Sequence, residues 1–333
     1  MSIHIAAKEI KTVRKNYDYT SRRFGDKKSA SRYQEAAYDI QPTTNFHYPP
    51  TWEEGKELYD VSRTAIVMED WYAFADPRQY YYTTYVSARA KQQESMSTNL
   101  EMAEKRGLLN SVAVDLKLKV RNVLTPFRHV EYGANMNNQS ICEKGYGTTI
   151  TSLASFNGFD RVGIAQYISR IALLIDENEE DGLIKARKDW LENPVWQPLR
   201  HAVEDTFVLD DWMETMVAQN VVMDGLVYPL IYDRFIGDVV ANSGGSVFAL
   251  TTQFMNDWYK ETTRWTNQLM KVTAAESPEN AELLSSWVTK WSNRLEEALT
   301  PISNEALGDS GATQLAEVKQ ELHARLAKQG ITV

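Results

Sequence analysis

The chain has 333 residues, 43% of them hydrophobic and 24% charged, with a net charge of −9 and one cysteine. That composition sustains a packed core and excludes a disordered chain. The acidic balance speaks against nucleic acid as a partner, because phosphate contacts need a basic face, and the lone Cys142 excludes an intramolecular disulfide and points to a reducing compartment.

Residues 1–50 differ from the rest. They hold nine Lys or Arg against five Asp or Glu, and they carry Tyr17, Tyr19, Phe24, Tyr33, Tyr38, Phe46 and Tyr48 with little helical periodicity. The start, MSIHIAAKEIK, has no apolar core of the kind a secretory signal needs. We read 1–50 as an extended basic and aromatic arm that lies on a neighbour. Pro49-Pro50 ends it, and Thr51 is suited to cap a helix from Trp52 to Ala75. Asp76-Pro77 stops that helix, and the next spans Arg78 to Arg106. Tyr80, Tyr81, Tyr82 and Tyr85 crowd its start and are candidate contacts with another chain, alongside Tyr17, Tyr19, Phe24, Tyr33 and Tyr38 of the arm.

A helix from Leu108 to Glu143 follows, kinked at Pro126. Gly145 and Gly147 turn the chain into a helix from Thr148 to Ile175, whose Ile164, Ile168, Ile171 and Ile175 form one apolar stripe. A short helix spans Leu183 to Trp190, and residues 199–242 read as a long buried helical region with Pro229 inside it. Asn242-Ser243-Gly244-Gly245 ends that region, and helices from Ser246 to Val272 and from Pro278 to Leu299 follow, the second capped by Ser277. A last helix, Thr313 to Lys328, presents Leu315, Val318, Leu322 and Leu326 at a spacing suited to docking on another helix. Strand signals are nearly absent, and no run of about 18 apolar residues suggests a membrane span. The expected fold is all-α: the arm over 1–50, a helical bundle over 51–300 and a docking helix over 301–333.

Chemistry is sparse. The five histidines, His4, His47, His129, His201 and His323, have no Glu or Asp three residues before them. A bundle that clasps two irons needs that Glu-x-x-His pair on each of two helices. One cysteine and scattered histidines argue against zinc. No Gly-x-Ser-x-Gly occurs, and the Gly-x-Gly at Gly145 follows no strand, so it is not read as a phosphate loop.

Glu131-Tyr132 on one helix and Asp160-Arg161-Val162-Gly163-Ile164 on the next resemble a degenerate di-iron pattern. On these residues the chain resembles the beta subunit of the hydroxylase component of bacterial multicomponent monooxygenases, the phenol hydroxylase branch above all. The resemblance implies a ferritin-like helical bundle with extra helices. In the catalytic alpha chain of that family, Glu-Tyr is followed by Asp-Glu-x-x-His on the next helix. Here Arg161 and Ile164 stand at the Glu and His places. Counting back from Pro229 puts Met223 at the third carboxylate. The last pair falls on Asp257 and Lys260, or on Met255 and Trp258 with a two-residue gap.

The resemblance therefore implies no metal, cofactor or catalytic residue in this chain, with Glu131 and Arg161 paired where metal would sit. It implies a di-iron centre in a partner alpha subunit, and a cytoplasmic dimer of alpha, beta and gamma heterotrimers. A regulatory protein and an NADH-dependent reductase complete the system, which hydroxylates aromatic rings with dioxygen. Other readings are a toluene or alkene monooxygenase beta subunit, a free-standing helical binding protein, and a self-sufficient enzyme with an unrecognised site.

Overall fold

A computed structural model of the chain describes residues 16–26, 29–41, 56–57 and 59–333. Pro49-Pro50, the Thr51 cap, Phe46 and Tyr48 lie outside the described residues. Among these residues the regular elements are all helices: α1 (Asp18–Phe24), α2 (Arg32–Ala37), α3 (Tyr82–Lys105), α4 (Val114–Leu124), α5 (Phe127–Lys144), α6 (Thr148–Ile175), α7 (Asp181–Glu192), α8 (Gln197–Phe207), α9 (Trp212–Met216), α10 (Asp224–Tyr228), α11 (Ser246–Thr251), α12 (Gln253–Glu276), α13 (Pro278–Leu307) and α14 (Gly311–Ala327). None is long and apolar enough to cross a membrane.

The helices α5 and α6 pack closely as an antiparallel hairpin. Small residues allow the approach of neighbours: a Cβ at Gly133 would stand 2.6 Å from Val203 Cγ1 on α8. The centre of the molecule is the run from α9 through α10, where every residue from Thr215 to Tyr228 is buried. Wider π-helical turns over Val217–Met223 and Pro229–Gly245 flank α10. Gly244, at φ 90°, ends the run where the sequence places the stop.

Pro126 divides the expected Leu108–Glu143 helix into α4 and α5, with a further 3-10 turn at Leu108–Ser111. The helix expected over 52–75 does not form in its described part. That stretch holds only two 3-10 turns, Val61–Arg63 and Trp71–Ala73. Its aspartates bond their own backbone, Asp60 Oδ1 accepting from Ser62 N at 2.8 Å and Asp70 Oδ1 from Tyr72 N at 2.9 Å, which competes with helix formation. Three of its amides donate to distant side chains: Ala65 N to Asp211 at 2.7 Å, Val67 N to Asn280 at 3.2 Å and Glu69 N to Glu276 at 2.8 Å.

The arm is also corrected. Its described residues form α1 and α2 and fold onto the chain's own body. Asp76 N donates to Tyr33 Oη at 2.8 Å, and Thr148 Oγ1 donates to Ala37 O at 2.6 Å. Tyr33, Ala37, Tyr38 and Tyr72 make a small separate core. The boundary drawn at residue 300 falls inside α13, which runs through Pro301 to Leu307. The C-terminal stripe Leu315, Val318, Leu322 and Leu326 is buried against α13 and α10, so α14 docks within the chain.

Candidate functional site: a buried charge network

Glu131 on α5 and Arg161 on α6 face each other inside the bundle, 2% and 1% exposed. Arg161 Nη1 donates to Glu131 Oε2 at 3.1 Å and to Tyr228 Oη at 3.2 Å. Its Nη2 donates to Asn220 Oδ1 at 3.3 Å and to Asp224 Oδ2. Tyr228 Oη in turn donates to Glu131 Oε1 at 2.8 Å, and Gln219 Nε2 to Asp224 Oδ1 at 3.2 Å. The guanidinium lies over the Trp258 ring, 4.4 Å from its centroid, a favourable cation–π arrangement.

Burial pushes the Glu131 and Asp224 carboxyls up from their ordinary range, because one guanidinium cannot neutralise two carboxylates removed from water. Burial works against the Arg161 charge too, but Asp224 beside it, then Tyr228 and Glu131, outweigh that and hold the guanidinium protonated. Tyr228 and Tyr232 are raised well above 10 by burial. Around this centre lie two amide sets: Asn138, Asn157 and Asn220 bond one another, Asn157 Nδ2 donating to Asn220 Oδ1 at 2.8 Å, and Asn137 Nδ2 donates to Gln219 Oε1 at 2.9 Å.

A second network begins one residue away. Asp160 accepts from Arg89 Nε and Nη2 and from Trp258 Nε1, each at 2.8 Å, and from Tyr85 Oη at 2.9 Å. Arg89 and Arg78 both donate to Glu261. Trp258 thus links the networks, its ring against Arg161 and its indole N–H on Asp160.

Di-iron chemistry needs carboxylates and imidazoles converging on open space. Among the described residues no three His, Cys, Asp or Glu side chains gather as a metal site. More directly, a permanent cation stands between the two carboxylates, and Ile164, fully buried, offers no ligand one turn on. The residues do not fit the metal centre.

The sequence reading finds Glu131 and Arg161 and misses Asp224. The count back from Pro229 gives Met223, which lies in the apolar core one residue short. Of the two registers for the last pair, Asp257 and Lys260 lie on the surface, while Met255 and Trp258 are in the core. The polar run Asn137-Asn138 on α5 and Gln219-Asn220 in an otherwise apolar segment was the signal available for the outer ring.

The interface candidates separate. Tyr33, Tyr38 and Tyr85 are buried in the chain's own core, Tyr85 stacking on Phe156 with centroids 4.3 Å apart. Tyr80 and Tyr81 are half-buried, Tyr19 partly so with its hydroxyl donating to Glu35 O at 2.7 Å. Tyr17 and Phe24 are exposed, and Tyr82 is 72% exposed.

Comparison with known proteins agrees with this architecture. A family model described as methane/phenol/alkene hydroxylase matches residues 49–277. The phenol 2-monooxygenase oxygenase component DmpL of Pseudomonas sp. strain CF600 is 45% identical over 331 residues, 99% of this chain and 98% of its own. The oxygenase component MhpL of Acinetobacter pittii strain PHEA-2 is 40% identical, over 100% of this chain and 99% of its own. A crystal structure of xenon-pressurised phenol hydroxylase from Pseudomonas sp. OX1 contains a chain that superposes with a TM-score of 0.92 at 44% identity, covering 99% of both chains. A chain of toluene 4-monooxygenase shares the fold at a TM-score of 0.75, covering 93% of this chain and 100% of its own. This chain belongs to the methane/phenol/alkene hydroxylase family.

Proposed function

We propose that this chain is the non-catalytic beta subunit of a phenol hydroxylase, packing on an iron-bearing alpha subunit and stabilising the assembled enzyme. One observation carries the reading: the Arg161 guanidinium fills the bundle centre between Glu131 and Asp224. A bundle built in this way has given its centre to an ion network and contributes through its surface. The end-to-end similarity to phenol 2-monooxygenase oxygenase components supports the phenol branch, and the 23% identity to the toluene-4-monooxygenase hydroxylase beta subunit makes toluene oxidation the weaker reading. On this proposal the working enzyme is a cytoplasmic dimer of alpha, beta and gamma heterotrimers. The di-iron centre sits in alpha, a reductase passes electrons from NADH, and a regulatory protein completes the system. The complex uses dioxygen to hydroxylate an aromatic ring.

Tagging the chain in its native host, purifying it gently and weighing the product by native mass spectrometry tests this. The expected particle holds two copies each of three different chains, with iron that follows the largest one. A lone 38.1 kDa species, or a homo-oligomer that carries iron and oxidises phenol unaided, overturns it.

A further inference from the structure

We propose that Arg161 is a built-in structural cation, which joins three helices at the bundle centre so that this chain folds without iron. Removing its side chain leaves a receptor for a small planar cation. The inference stands on the geometry of the buried network and holds whether or not the subunit assignment above is right.

A site for a cation needs converging negative charge, further oxygen acceptors and exclusion of water. Here the charge comes from Glu131 on α5 and Asp224 on α10, both reached by one side chain from α6. Tyr228 Oη at 3.2 Å and Asn220 Oδ1 at 3.3 Å complete the acceptors. Glu131, Arg161, Asn220, Asp224 and Tyr228 are each no more than 3% exposed. Buried away from bulk solvent, the two carboxylates repel one another strongly unless a cation lies between them.

The shape of the site selects which cation. Trp258 and Tyr228 present ring faces to the guanidinium carbon at 4.4 and 5.7 Å. The Trp258 ring is locked in place by its indole N–H on Asp160. Ring faces favour a flat, weakly hydrated ion and give a divalent metal no lone pair. The acceptors are also divided between Nη1 and Nη2, matching a planar fork rather than a sphere. Arg161 Nε alone has no partner, so the bonding that fixes the group runs through its two terminal nitrogens, the part that a free guanidinium can reproduce.

The test uses the full-length chain and its thermal unfolding. The wild-type midpoint is expected to be unmoved by a chelator, by ferrous iron or by low-millimolar methylguanidinium. Arg161→Ala should lower the midpoint on the order of 10 °C, and methylguanidinium should restore part of that loss saturably, where sodium and manganese(II) chloride do not. A wild-type midpoint that falls with chelator, an Arg161→Ala chain rescued by manganese rather than methylguanidinium, or an Arg161→Ala midpoint equal to wild type overturns the proposal. Should Arg161→Ala give no folded chain, Arg161→Lys keeps the charge and Arg161→Met keeps the length. Folded protein from Lys and not from Met supports the cation, and any other pattern overturns it.

Discussion

Asp160 on α6 accepts from four donors on two other helices, α3 and α12, so neutralising it should damage the bundle more than its size suggests. Its Oδ1 accepts from Tyr85 Oη and Arg89 Nε, and its Oδ2 from Arg89 Nη2 and Trp258 Nε1. Asp160→Asn keeps the volume but replaces one oxygen with an NH2 group. Whichever way the amide turns, two donors then face a donor. Leaving a buried polar group unmet costs about 1–3 kcal/mol, and breaking one side of a buried ion pair about 3–5 kcal/mol. Arg89 keeps Glu261, so the loss should fall near the lower end, about 3 kcal/mol, a large share of the roughly 5–15 kcal/mol that holds a folded domain together. Tyr85→Phe, which removes one donor and leaves the carboxylate its other three, should cost about 1–2 kcal/mol. Urea unfolding of the full-length chain, followed by tryptophan fluorescence, measures both. An Asp160→Asn chain within about 1 kcal/mol of wild type, or one no weaker than Tyr85→Phe, would refute the reasoning.

Three further outcomes are expected. At Gly311 a Cβ would stand 2.5 Å from the Ser303 carbonyl carbon and oxygen; because that neighbour is backbone, Gly311→Ala should destabilise by about 1–3 kcal/mol in the same urea assay, and an unchanged midpoint would show that α13 and α14 can part at no cost. His129, stacked on Trp190, is pushed down to about 4 by burial and then by Arg128 and Arg187. The unfolded chain therefore binds the extra proton first: stability is full above about pH 6.5 and declines toward pH 4 by at most about 1.4 kcal/mol per pH unit. His129→Gln should remove that slope in urea midpoints measured from pH 7 to 4.5, and an unaltered slope would place it elsewhere. Asp211 caps α9 by accepting from Met213 N at 2.8 Å and Glu214 N at 3.1 Å, and its other oxygen holds Ala65 N at 2.7 Å. Asp211→Ala should cost about 1–2 kcal/mol and open residues 59–81 to limited proteolysis, so an unchanged cleavage pattern would mean that the remaining bonds suffice to pin that segment.

The sequence by itself determined the elements whose signals are local. Gly147 and the apolar stripe set α6 at Thr148–Ile175, Ser277 and Pro278 open α13, and the leucine stripe of α14 is buried as its spacing requires. The family resemblance placed Glu131 and Arg161 at matching positions of the degenerate pattern, and the structure brings them into contact. The tertiary structure decided what depends on distant groups. Residues 59–81 are rich in helix-compatible patterning, yet their amides go to Asp211, Asn280 and Glu276, residues that no local window contains. Asp224 rather than Met223 enters the charge network because it is the side chain that meets Arg161 across the packed helices, a contact between residues 63 apart in sequence. Tyr33, Tyr38 and Tyr85 look like contact residues in a basic, aromatic sequence and prove to be core, because an aromatic side chain serves either purpose and only the surface packed against it settles which.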